Sequence, residues 1–191
     1  MPVLASRESA PGLVDLRMAA KVTTLTAELD ISDMERNYYR THNLTLVQPQ
    51  SETDERLMVR VLAFALQADD LLRFGEGGEE PALWVRDTAG NPEVWIEIGE
   101  PDEKRLQKAC GRAKQVIVYS YASSAQGWWN RIGAKADRDN LIIYHIQGVP
   151  TSRLNTLCQR EMKLHCMVQD GQVWLTGGDE TVQLDVATLK I

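Results

Sequence analysis

"EVWIEIGEPDEKRLQKACGRAKQVIVYSY", residues 93–121, decides the architecture. Its first part reads as a short strand. Pro101 then suits the first position of a helix, and Asp102 and Glu103 suit the positive end of the helix dipole. Leu106, Ala109, Cys110 and Ala113 line one face of that helix, a small-residue face fit to lie on a sheet. "QVIVYSY" follows as a nearly continuous apolar run, the pattern of a strand buried on both faces. A strand, a helix and a strand in that order imply a crossover between parallel neighbours. One residue breaks the apolar pattern, the acid Glu97 in the middle of the first strand.

The same logic extends in both directions. "SSAQGWWNRIGAKA" reads as a second crossover helix, with Ser123 and Gln126 in capping-box spacing. "LIIYHIQ" follows as another strand. Upstream, "ALWVRD" and "EVWIEIGE" form a hairpin around "TAGNP". Strands near 82–87, 93–99, 115–121 and 141–147 are therefore expected in one mixed sheet with helices on its faces and 93–99 at its centre. That is an α/β (mixed α+β) class. A loop over 88–92 would set position 87 opposite 93 and 83 opposite 97. Asp87 would then lie four residues of strand from Glu97, on the order of 13 Å.

Flanking segments add an N-terminal β-ribbon and a C-terminal β-hairpin. "TLTAELDI" places Leu25, Ala27, Leu29 and Ile31 on one face, and "HNLTLVQ" supplies its partner. "MKLHCMVQDGQVWLT" holds Asp170-Gly171 between alternating segments, a hairpin signal, and "ETVQLDVATLKI" adds a last strand. Between ribbon and sheet, "SETDERLMVRVLAFALQADDLL" reads as a helix capped by Ser51 or Thr53. It is apolar on nearly all sides, so it is expected to be central and buried. A narrow polar stripe runs through Arg56, Arg60 and Gln67. Glu52 and Arg56 have the spacing of a surface pair. Glu55 projects with Leu62 and Leu66 toward packed material, or else stays wet at the positive helix end.

Composition bounds the function. The 191 residues carry a net charge of −6, with 43% apolar and 25% charged residues. Nothing in that balance attracts DNA or an anionic membrane. The longest apolar run, 57–66, contains Arg60 and is too short to cross a bilayer. Cys110, Cys158 and Cys166 are odd in number and lack metal spacing, which fits free thiols in a reducing, cytoplasmic setting. "RFGEGGEEP" has glycines but no Lys-Ser/Thr, so it is not a phosphate loop. Residues 1–17 read as a tail or a non-native extension, and 18–191 as a single domain.

"HNLTLVQPQSETDERLMVRVLAFAL", "EPALW", "VWIEIGEPDEKRLQKACGRA" and "YSYASSAQGWW" together resemble the YaeQ family of bacterial proteins. The resemblance implies a restriction-endonuclease-like fold, a variant of the PD-(D/E)XK nuclease superfamily. In that superfamily two carboxylates on neighbouring strands hold a divalent cation against a phosphate, and a lysine two residues after the second acid balances charge. The matching positions here are Pro81-Ala82 and Glu97-Ile98-Gly99. Ala82 stands in the acid's place and Gly99 in the lysine's.

Two functions follow from the resemblance. In one, the chain has a degenerate site and acts by binding a protein partner or nucleic acid. In the other, it is a Mg²⁺- or Mn²⁺-dependent phosphodiesterase with a relocated site. Glu97, Glu55 and Glu80 would hold the metal, with Glu97 and Lys108 catalytic. Lys108 is suggested by relatives whose lysine moves to the next helix, although the wheel turns it away from the core. The substitutions at Ala82 and Gly99 favour the first reading. Among the remaining residues, Trp128 and Trp129 read as one core anchor and one rim residue rather than a base-stacking pair. His145 reads as a hydrogen-bonded core histidine. Arg56, Arg60, Arg105 and Arg112 read as solvated helix faces, or as the lining of an anion groove.

Overall fold

A computed structural model of the chain describes residues 22–148 and 150–190. The expected tail over 1–17, and the domain start at Met18, lie outside them. Among the described residues ten strands form one mixed sheet, in the order β2-β1-β8-β9-β10-β7-β6-β5-β4-β3. The expected core is present as β4 (Leu83–Arg86), β5 (Pro92–Ile98), α2 (Glu103–Cys110), β6 (Gln115–Ser120), α3 (Ala125–Ala136) and β7 (Leu141–Gly148). β4 and β5 are antiparallel, and β5, β6 and β7 are parallel neighbours. The ribbon is β1 (Val22–Asp33) and β2 (Tyr38–Pro49), and the hairpin is β8 (Glu161–Gln169) and β9 (Gln172–Gly177). Asp170 and Gly171 both have positive φ, 53° and 75°, as a tight hairpin turn requires. β10 (Glu180–Lys190) joins β9 to β7 and makes the sheet continuous.

Four local expectations are corrected. β5 is the third strand from one end of the ten, because the ribbon and hairpin extend only the β7 side. The hairpin register is displaced by one, Leu83 facing Ile96, and a bulge between Val85 and Arg86 shifts it again. Pro101 precedes the helix, whose N-cap is Asp102, with its carboxylate accepting from the Arg105 N–H at 2.8 Å. Ser123 does not cap α3; Ser124 holds that position, and its hydroxyl donates to Glu100. A 3₁₀ helix over Thr151–Leu157 has no counterpart in the sequence reading.

Strand parity divides the core into two layers. Ile96, Ile98, Ile117, Tyr119 and Ile146 face α1 (Asp54–Leu66), and Trp95, Val116, Val118, Leu141 and Ile143 face α2 and α3. α1 begins at Thr53, whose hydroxyl accepts from the Arg56 N–H. Every residue from Leu57 to Ala65 is buried, as the all-round apolar wheel predicts. The sheet curls about this helix until its two ends face each other. Phe64 of α1 meets His42 of β2 edge-on at 5.2 Å and stacks on Phe74 of β3 (Arg73–Phe74) at 5.3 Å. Arg60 spans the same ends, donating to the carbonyls of Val47 on β2 and Gly75 just after β3.

Candidate functional site

The parallel strands β5, β6 and β7 end on one rim of the sheet, beside the N-terminus of α1. In open α/β sheets ligands bind outside the carboxyl ends of such strands. Two cavities lie along this rim. The first, about 390 Å³, is lined by the start of α1, the glycine loop 75–78, Glu97, Glu100 and Arg105. The second, about 400 Å³, is lined by Glu55, Tyr121, Ser123, His145, Gln147 and Thr151 among others.

Glu97 is 2% exposed. Its Oε1 accepts from the Trp95 indole N–H at 2.7 Å and from Arg105 Nε at 2.7 Å. Trp95 lies two residues away on the same strand face, so its donor is in place by period alone. Arg105 comes from the first turn of α2, and its other nitrogens donate to the carbonyls of Gly78 and Glu80. One guanidinium thus neutralises the buried acid and ties the glycine loop to β5. A buried carboxylate needs such a partner, and the acid at position 97 was the only signal in the sequence that one existed.

The other positions matched to the nuclease pattern offer no charge. Ala82 is buried, with its N–H donating to the Ile96 carbonyl at 2.9 Å. Gly99 has φ of +93°, a conformation that side-chain-bearing residues rarely adopt. An added Cβ would have room, its nearest neighbours being Arg56 Nη1 at 3.8 Å and Tyr121 at 3.9 Å. The backbone turn, not crowding, therefore disfavours a lysine there.

The remaining candidates do not gather around Glu97. Glu80 lines the same cleft, but its carboxylate accepts from the Glu76 N–H at 2.8 Å and faces Arg86 at 3.5 Å. Glu55 belongs to the second cavity and accepts from the Thr151 hydroxyl at 2.5 Å. Lys108 pairs with the exposed Glu79 and lines neither cavity. Among the described residues, no group of three or more His, Cys, Asp or Glu is arranged to hold a metal ion. The metal set Glu97, Glu55 and Glu80, and the pairing of Glu97 with Lys108, are therefore not assembled in this structure.

A second ion pair lines the first cleft. Glu52 and Arg60 meet at 2.7 Å with side chains 7% and 6% exposed. Glu52 was expected in a surface pair with Arg56, which does approach at 3.5 Å, yet its principal partner lies eight residues on. The expectation that Arg60 is solvated is likewise overturned. Burial lowers the Arg60 pKa, against the raising influence of Glu52, and its Nε has no hydrogen-bond partner among the described residues. Arg56 donates to the Ile98 carbonyl at 2.6 Å and so fixes α1 against the end of β5. The cleft holds Glu52, Glu76, Glu80, Glu97 and Glu100 against Arg56, Arg60 and Arg105, an acidic balance.

The aromatic expectation is met, and the histidine one in part, since His145 is hydrogen-bonded but half-buried and lines the second cavity instead of the core. Trp128 is buried with its indole N–H on the Pro101 carbonyl at 3.0 Å, and Trp129 is half-buried beside it. His145 Nδ1 lies 3.3 Å from the Ser120 carbonyl. The three cysteines are free, and burial raises their thiol pKa values, to about 11 for Cys158 and about 12 for Cys166. No helix among the described residues is long and apolar enough to cross a membrane.

The YaeQ protein family model matches residues 18–186. The chain belongs to the YaeQ family. It is 34% identical over 174 residues to the "Uncharacterized protein YaeQ" of Escherichia coli (strain K12), spanning 88% of this chain and 96% of that one. The Salmonella typhi YaeQ protein is 35% identical over the same shares. Among solved structures, YaeQ from Xanthomonas axonopodis pv. citri superposes with a TM-score of 0.82 at 43% identity, over 89% of this chain and 99% of that one. YaeQ from Pseudomonas syringae gives 0.80 at 29% identity, over 88% and 96%. The mixed α+β architecture is thus that of solved YaeQ structures.

Proposed function

We propose that this YaeQ-family chain is a restriction-endonuclease-like protein that acts by binding a protein partner and not by metal-dependent phosphodiester cleavage. The observation that carries the reading is the Arg105–Glu97 contact at 2.7 Å. In a metal nuclease the second carboxylate must face a cation shared with substrate. Here that carboxylate is held by a cation from its own chain, reinforced by Trp95 on the same oxygen. A single carboxylate is in any case a poor magnesium site, since hard cations take several oxygen ligands. The acidic balance of the cleft disfavours a phosphate backbone and leaves protein as the partner class.

The test is an assay of single- and double-stranded DNA and RNA with Mg²⁺ or Mn²⁺, scored for cleavage and for mobility shift. The expected result is neither. Metal-dependent cleavage that disappears in Glu97→Ala would establish the phosphodiesterase instead. A mobility shift without cleavage would replace the protein partner with nucleic acid.

A further inference from the structure

The facing ends of the sheet define a second feature, which meets the Glu97 cleft only at Val47 and Arg60. The amides of Thr26 and Met34 donate to carbonyls on the β8 side of β1, at Arg160 and Val168. Even-numbered positions of β1 therefore point their backbone groups toward β8, and odd-numbered ones toward β2. The register pairs Leu25 with Leu46, Ala27 with Leu44 and Leu29 with His42. On β2 the even positions are thus the bonded ones. Thr41, Asn43, Thr45 and Val47 direct N–H and C=O out of the sheet. The Arg60 bond to the Val47 carbonyl confirms that direction.

Among the described residues no strand pairs with this edge, since β2 ends the sheet. Free edges are normally short, charged, bulged or broken by proline. This one is twelve residues long, ends only at Pro49, carries Arg40 as its one charged residue, and has no bulge in its ladder. Across from it lie Asp69, Asp70, Leu72, Arg73 and Phe74, around a cavity of about 460 Å³. Phe64 forms its floor between His42 and Phe74.

We propose that this gap takes one extended peptide strand of a partner protein. The strand would hydrogen-bond to the outward groups of Thr41, Asn43 and Thr45 and lay alternate apolar side chains against the half-buried rings of His42 and Phe74, which cover Phe64. Unpaired donors and acceptors in strand spacing recognise a backbone, and the half-buried rings of His42 and Phe74 meet side chains of period two. A second copy of this chain fits less well. The gap is walled on its far side by β3 and residues 69–72; Arg60 spans it at the Val47 end, and Arg40 spans it at the other, bonded to Asp70 at 2.8 Å. Between these two bridges only residues 41–46 of the edge stay open, the length of one short strand.

The test uses the full chain and an acetylated, amidated Lys-Val-Thr-Val-Thr-Val-Lys peptide, with hydrogen exchange read by NMR. At peptide about ten times its Kd, the Thr41, Asn43 and Thr45 amides should exchange about tenfold more slowly. The same peptide N-methylated at alternate residues should protect none of them. Thr45→Pro removes an outward donor without touching the ladder to β1. It should abolish protection at Thr41 and Asn43 while leaving the melting curve unchanged. No protection by the unmethylated peptide up to millimolar concentration overturns the proposal. So does equal protection by both peptides, or protection in the free protein that rises with protein concentration, which would assign the edge to a second copy.

Discussion

Two ion pairs line one cleft and differ in how they are held. Glu52–Arg60 is closed, with both side chains almost fully removed from water and Arg60 bridging β2 and the loop after β3. Glu97–Arg105 is half-open, with the acid 3% exposed and the arginine 31%. The first pair sits where the sheet's two ends meet around α1, and its geometry serves the fold. The second sits at the carboxyl end of a parallel strand, where such folds place their chemistry, and its arginine reaches in from the surface. Burial alone therefore does not separate the two acids; the direction from which the partner arrives does.

The largest expected effects fall on the closed pair. Glu52→Ala leaves Arg60 buried without its acid, and Arg60→Ala does the reverse. Each should lower unfolding stability by about 3–5 kcal/mol in chemical denaturation. The double change Glu52→Leu with Arg60→Met should cost less than either, because no buried charge is left unpaired. Equal or larger loss in the double variant would show that the Arg60 bonds to Val47 and Gly75, not its charge, carry the effect.

Arg105→Ala should have a smaller effect, about 1.5–3 kcal/mol, the worth of a hydrogen bond to a charged group. Glu97 keeps Trp95 as a donor, and the half-exposed site admits water. A loss as large as that of the Arg60 change would erase the contrast between the pairs. Glu97→Gln should cost less again, since the amide oxygen can still accept from Trp95.

The smallest effect is a pH dependence at the edge that Arg60 tethers. Burial lowers the His42 pKa below its ordinary 6.5, Arg40 lowers it further, and Asp70 opposes both. Its ring also lies 2.7 Å from the Tyr38 hydroxyl. A folded pKa below the unfolded one means the unfolded chain takes up the proton first. The contribution is complete above 6.5 and is lost as pH falls through that value toward the folded pKa. Denaturation midpoints of the wild type should drop across this window, and His42→Leu should flatten the drop.

Much of the fold was legible because each signal was local. The apolar run 115–121 and the small face of Leu106, Ala109 and Ala113 fixed the crossovers, and Asp170-Gly171 fixed the hairpin. The curl was not legible. It depends on Phe64 touching two strands that lie far apart in sequence, and on one arginine reaching two distant carbonyls. The site was half legible. Glu97 stood out as an acid in an apolar strand, but its partner was sought among lysines and carboxylates. Glu52 and Arg60 went unread because a nearer arginine already explained Glu52.

Arg105 engages Glu97 at 2.7 Å, which on the proposed reading withholds the acid from a metal. Calorimetric titration of Mn²⁺ into the full chain tests it most directly, with Glu97→Ala as the control. Neither protein should give saturable heat. Stoichiometric binding to the wild type that is absent in Glu97→Ala would contradict it.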